Sequence, residues 1–259
     1  MKKRTAFLGA ILSLIPLGQP LIIKTGVVLS GSAVMFSLPE KVNAADNSYY
    51  FDRAYEKAEN GDHYGAISDY TKAIEIDPKD HDSYHNRGVA RSILGKCYEA
   101  ISDYIKALEL KADRPTSFHG IGYCKSELGD YEGAKIAYSK AIELDPQYSS
   151  AYNNLGLAKN NLKDYYGAIA DYTKAIEIDP EFKDPYVNRG VSKINLKDYY
   201  GAIADYTKAI EIDPNYALPF ANRGSSKELL GDMQGACADW QKASQLGYQD
   251  AANWVRDQC

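Results

Sequence analysis

The residues of this 259-residue chain that could do chemistry are few and scattered: four histidines, four cysteines and a spread of carboxylates. His81 and His85 stand at i and i+4, one face of a helix, and His119 repeats the place of His85 thirty-four residues on. With Asp82 these imidazoles could hold a divalent metal, which would make the chain a metal carrier. The plainer alternative is three ordinary polar side chains on one surface. The run Gly120-Ile-Gly-Tyr-Cys-Lys125 imitates a phosphate loop, but Gly122 belongs to a recurring small-residue column and no strand pattern precedes it. No Ser or Cys has a His at a spacing that suggests a nucleophile and its base, and the carboxylates are dispersed. The expectation is a protein that is not an enzyme, with no cofactor and no bound metal.

The cysteines offer a different chemistry. Cys237 precedes Gly247 by ten residues and Cys259 follows it by twelve, so in an antiparallel helix pair the two sit within about 3 Å of the same height at 1.5 Å per residue. A Cys237–Cys259 disulfide is expected there. Cys97 and Cys124 lie on successive helices at different heights, and their state is left open between free thiols and a bond. There is no Cys-x-x-Cys spacing, which argues against a redox motif or a zinc ribbon.

What positions these residues is a repeat. NLKDYYGAIADYTKAIEIDP occurs at 161–180 and again, letter for letter, at 195–214. Steps of thirty-four from Asn47 give six units without an insertion: 47–80, 81–114, 115–148, 149–182, 183–216 and 217–250. One column is small (Ala54, Gly88, Gly122, Gly156, Gly190, Gly224), and two more are Ala throughout, from Ala66 to Ala236 and from Ala73 to Ala243. Between the Ala columns stands a ring: Tyr70, Tyr104, Tyr138, Tyr172, Tyr206, Trp240. Small residues let two helices approach and the ring fills the space beside them.

Each unit breaks in its middle, at Gly61-Asp62 and its counterparts, where the Asp can cap the second helix. It breaks again at Pro78, Pro146, Pro180 and Pro214, with Ala112 in that place in the second unit. Each unit is therefore helix–turn–helix. Glycines 65, 133, 167, 201 and 235, one residue before an Ala column, are read as tolerated near a helix start rather than as a bare patch for close contact. After Gly247, residues 251–259 place Ala251, Val255 and Cys259 on one face, the pattern of a capping helix over the last unit.

These columns and the thirty-four-residue period resemble the tetratricopeptide repeat family over residues 47–250. The resemblance implies an all-α, right-handed solenoid whose concave groove is lined by the first helix of each unit. Such grooves take protein or peptide segments. Asn86, Asn154, Asn188 and Asn222 share one groove column, and an amide can bridge the backbone of an extended peptide. Tyr55 and Tyr123, in a neighbouring column, supply contact area, and His85 and His119 stand beside them. Equally, the Asn column could serve the fold by bonding helix to helix. Members that clamp a C-terminal carboxylate do so with Lys and Arg beside such Asn residues. Here the adjoining columns hold none, so a segment is expected rather than a tail.

Two further columns carry charge. Arg53, Arg87, Arg189 and Arg223 share one, and Asp69, Asp103, Asp171, Asp205 and Asp239 share another; in the third unit Ile121 and Ala137 replace both. A buried Arg–Asp ladder is expected. A second cationic column, Lys57, Arg91, Lys125, Lys159, Lys193 and Lys227, is expected to reach out to solvent.

The N-terminus reads as an address. MKKRTAFLGAILSLIPLG has the charged head and apolar run of a secretory signal, with cleavage expected before Ala45; the alternative is an uncleaved anchor that includes 25–39. Both put the remainder across a membrane, periplasmic or otherwise extracytoplasmic. Net charge is −5, and residues 45–259 carry 25 basic against 34 acidic residues, which disfavours a nucleic-acid partner. The reading is an exported scaffold for a protein segment, and the family resemblance implies a role in assembly of an envelope or membrane complex. A membrane-anchored structural protein is the alternative.

Overall fold

The structure, a computed structural model, describes residues 44–259. The leader and the anchor reading of 25–39 lie outside the described residues. Thirteen α-helices follow one another in six hairpins and a terminal helix: α1 (Ala44–Glu59) with α2 (His63–Ile76), α3 (His81–Ile93) with α4 (Cys97–Leu110), and α5 (Pro115–Glu127) with α6 (Tyr131–Leu144). Then come α7 (Ser149–Asn161) with α8 (Tyr165–Ile178), α9 (Lys183–Asn195) with α10 (Tyr199–Ile212), α11 (Ala217–Leu229) with α12 (Met233–Gln245), and α13 (Gln249–Gln258). Each helix packs on the next. The first helices also touch one another in series, α1 to α3, α5, α7, α9 and α11, whereas no such chain of contacts joins the second helices. The first helices therefore form the inner side of an α-solenoid.

The columns explain the packing. Both Ala columns and the ring column are buried at every unit, with Tyr172 at 0% exposure. A Cβ added to Gly88, Gly122, Gly156, Gly190 or Gly224 would come within 2.6–2.9 Å of the facing Tyr or Trp ring. Each ring packs closely against bare backbone, and no larger residue fits there.

The second glycine column has a reason that neither of its readings supplied. At the start of each second helix except α4 an Asp accepts from the backbone N–H three residues on: Asp62 from Gly65, Asp130 from Gly133, Asp164 from Gly167, Asp198 from Gly201 and Asp232 from Gly235. A Cβ on those glycines would sit 2.0–2.2 Å from the capping carboxylate. In α4 the cap position is Lys96, which makes no side-chain cap bond, and Glu99 stands where the glycine was. Cap and glycine are lost together, which is the signature of a contact. Gly167→Ala, which in an ordinary helix interior would add about 0.5–1 kcal/mol, should instead leave stability level or lower it by up to about 1 kcal/mol as the Asp164 cap is displaced. A urea titration showing the ordinary gain would show that the glycine does not serve the cap.

The turn before each cap needs a left-handed residue. Gly61, Gly95, Gly129 and Gly231 supply it in four units, but the identical twenty-residue copies use Lys163 and Lys197, both at φ +63°. The second break is built on a further Asp column unnoticed in the sequence: Asp77, Asp145, Asp179 and Asp213 each accept from the N–H two residues on, turning the chain at the Pro.

At the C-terminal end α13 covers the last hairpin. Ala251 is fully buried against Phe220, Ala221, Trp240 and Ala243, with Trp254 and Val255 packed on the same cluster. The structure joins Cys237 to Cys259, Cα atoms 5.8 Å apart. Among the described residues no helix is long and apolar enough to cross a membrane.

Candidate protein-binding groove

The inner side is a surface of amides and acids. Asn154, Asn188 and Asn222 are partly exposed on α7, α9 and α11, as are Tyr55 on α1 and Tyr123 on α5. Some of the amide capacity is used within the fold. His119 Nε2 accepts from Asn154 Nδ2 at 2.9 Å, Asn154 Oδ1 from Asn153 Nδ2 at 3.2 Å, and Asn153 Oδ1 from Asn188 Nδ2 at 3.0 Å. One line of side chains thus links α5, α7 and α9. These bonds bear out the fold-serving reading of the Asn column at Asn154 and Asn188, where the amides brace neighbouring first helices.

Two expected groove residues lie deeper. Asn86 is 5% exposed; it hydrogen-bonds Tyr70, and its Oδ1 lines a cavity of about 20 Å³ without a hydrogen-bond partner among the described residues. His85, at 1% exposure, packs against the Tyr104 ring at a tilt of 53° and shares a 2.8 Å hydrogen bond with Ser117. It is a packing residue between α3 and α5, not a groove residue, because adjacent first helices close over that column. The metal-carrier alternative is corrected for the same reason. His119 is engaged with Asn154, Arg114 reaches over to Asp82 and His81, and no three of the described His, Cys, Asp and Glu residues converge on a metal position. Burial pulls His85 down to about 3 and His119 to about 4, with Arg114 and His81 adding to the shift at His85, so both rings are neutral at ordinary pH.

In the inner columns of every unit but the fourth stand acids, Asp52, Glu59, Asp82, Glu127, Asp184 and Glu228, and among those columns there is no Lys or Arg. The cations are turned inward, toward the second helices. Arg87 forks onto Asp103 through Nε at 3.0 Å and Nη2 at 2.7 Å; Arg189 does so to Asp205 and Arg223 to Asp239, while Arg53 holds Asp69 at 2.7 and 2.6 Å. The third guanidinium nitrogen crosses to the preceding unit: Arg87 to Thr71, Arg189 to Thr173 and Arg223 to Thr207. The ladder therefore joins helices within units and between them.

The second cationic column does not reach out to solvent as expected. Lys57, Arg91, Lys193 and Lys227 each fall on the same Asp as the arginine one turn earlier, at 2.5–2.8 Å. Four residues is one helical turn, so both cations share one face, and a buried carboxylate with four lone-pair directions holds both. In the third unit, where Ala137 replaces the Asp, Lys125 turns to the cap carboxylate of Asp130. In the fourth, Leu155 replaces the Arg. There Asp171 keeps only Lys159, whose Nζ stands 2.6 Å from Oδ2 but off the line of a hydrogen bond, and burial pushes the Asp171 carboxyl up.

Tetratricopeptide repeat models match residues 48–80, 69–101, 149–182 and 184–216, and a TPR repeat model matches 126–163. Together they span more than half of the chain; the matches at 48–80, 149–182 and 184–216 each coincide with one helix hairpin, while those at 69–101 and 126–163 straddle neighbouring hairpins. The chain belongs to the tetratricopeptide repeat family. Among solved structures, this tetratricopeptide repeat chain is similar to a MamA protein (26% identity, 68% of this chain and 96% of that one, TM-score 0.60). It is also similar to YrrB, described as a TPR protein with an unusual peptide-binding site (23% identity, 72% and 97%, TM-score 0.59). A third is PilW, described as a widely conserved type IV pilus biogenesis factor (19% identity, 83% and 99%, TM-score 0.73). The comparison with curated proteins returned no match.

Proposed function

We propose that the array is a non-catalytic, exported scaffold that receives an extended protein segment, neutral or positively charged, on its inner curve. The observation that carries this reading is the make-up of that curve: partly exposed Asn154, Asn188 and Asn222, aromatic area at Tyr55 and Tyr123, and six acids in columns that hold no Lys or Arg, with Asp82 alone among the six paired to an arginine, Arg114. Amides meet peptide backbone, while carboxylates favour Lys and Arg side chains and repel acidic tails. The peptide-binding site named for YrrB supports the same use of the fold. Export rests on Lys2-Lys3-Arg4 ahead of an apolar run, and the Cys237–Cys259 bond suits an oxidising compartment. The same charge disfavours nucleic acid as a partner, and membrane is met only through the N-terminal segment if that segment is not cleaved.

Fluorescence anisotropy with three labelled extended peptides, Lys/Arg-bearing, neutral and Glu-bearing, tests this. Binding should rank in that order, and the preference should shrink as salt is added. Asn154→Ala/Asn188→Ala should weaken the tightest complex roughly tenfold, two hydrogen bonds at about 0.5–1.5 kcal/mol each. Equal binding by parent and double variant would remove the groove from the account.

A further inference from the structure

Between α4 and α5 two thiols meet. Cys97, the first residue of α4, and Cys124 on α5 are free thiols, 4% and 0% exposed, and pack in one apolar cluster with Tyr104, Ile121 and Ala137. The difference in height read from the sequence does not keep them apart. Their junction, between the second and third units, is also where the polar crossing fails. The three partners of the clamp, Arg, Asp and the Thr of the preceding unit, are there Ile121, Ala137 and Ile105. All three are replaced together, so no guanidinium ties α5 to α4 as Arg87 ties α3 to α2.

We propose that Cys97 and Cys124 are a covalent modification site, forming a second disulfide that ties the second unit to the third where the Arg–Asp–Thr clamp is missing. The reaction needs a disulfide donor, a protein or small-molecule disulfide of an oxidising compartment. The Cys97 thiolate attacks one donor sulfur and the other leaves as a thiol. Cys124 sulfur then attacks Cys97 sulfur in the mixed disulfide and expels the second donor thiol. Two protons and two electrons pass from the cysteine pair to the donor, and one S–S bond is exchanged for another. Cys97 reacts first, since it lies in the first turn of α4, behind a Lys96 that makes no side-chain cap bond. Burial raises the Cys124 thiol more strongly than that of Cys97, which fits Cys124 as the resolving partner.

The test uses the full folded chain incubated with oxidised glutathione, quenched with a maleimide and digested without reduction. The expected result is a linked peptide pair containing Cys97 and Cys124, with maleimide uptake at these positions in denaturant falling from two thiols per chain to none while helical circular dichroism is kept. Full labelling of both under conditions that complete Cys237–Cys259 overturns the proposal, as does a link that forms only in urea-unfolded chain. In Cys97→Ala, Cys124 should stay free; glutathione uptake by Cys124 at the parent's rate overturns the order of attack.

Discussion

Arg189→Leu should lower the stability of the C-terminal half of the array by about 3 kcal/mol, read as an earlier midpoint in urea titration. Arg189 is the better-placed of two cations on Asp205, whose side chain is only 5% exposed, and it alone reaches Thr173 in the unit before. Removing it leaves a buried carboxylate facing Lys193 alone and an orphaned crossing between units. Stability in a solenoid is a sum of unit and neighbour terms, so the loss should appear as early melting around α8–α10. The fourth unit serves as an internal control. Asp171 already lacks an arginine, so Asp171→Asn should cost much less than Asp205→Asn. If the two cost the same, the fork is not what holds the units. Acid tells the carboxylates apart as well. Arg53 beside Asp69, with Lys57 next to it, holds that carboxyl down to about 2. Its contribution is complete above an unfolded value near 4 and is lost as pH falls toward about 2. Asp171 is shifted upward by burial, so it has the opposite sign, and protonating it relieves the fold.

Trp240→Ala should cost about 4 kcal/mol, at the upper range for emptying a packed aromatic site. The ring is 1% exposed, lies against the bare backbone of Gly224, and has Trp254 of α13 at 5.6 Å between centroids. Trp240 is thus the floor on which the terminal helix stands. The chain has two tryptophans, so in this variant the emission comes from Trp254 alone and reports on α13. The emission should shift red and its thermal transition should precede the loss of helix elsewhere. The bond from Cys237 to Cys259 keeps α13 tethered, so reducing that bond should widen the gap between the two transitions. Coincident transitions in the reduced variant would mean that α13 is held by something other than this ring.

Much of this was legible in advance because the sequence repeats. A column such as Gly88 to Gly224 against Tyr104 to Trp240 declares a helix contact six times over, and the Arg and Asp columns announced their pairing by disappearing together at Ile121 and Ala137. Other features depended on a third dimension. Lys193 lies on Asp205 because two cations one turn apart share a face, and column reading had no means of counting two partners for one acid. The glycines before the Ala column looked merely tolerated, although the simultaneous change to Lys96 and Glu99 was a visible sign that cap and glycine belong together. His85 was misplaced because its column faces the next first helix, and how closely those helices sit depends on packing that spacing does not record.

The twin segments occupy α8 and α10 with the same caps, the same left-handed lysine and the same buried ring. A chain shortened by the thirty-four residues 165–198 would join Asp164 directly to Tyr199 and read Asp-Tyr-Tyr-Gly, as it already does. The helix then meeting α7 would be a letter-perfect substitute for the one removed, so the only new seam would be α7 beside α11. Copy number in this molecule is therefore open to inheritance in whole steps, and its reach could lengthen or contract between lineages without inventing an interface.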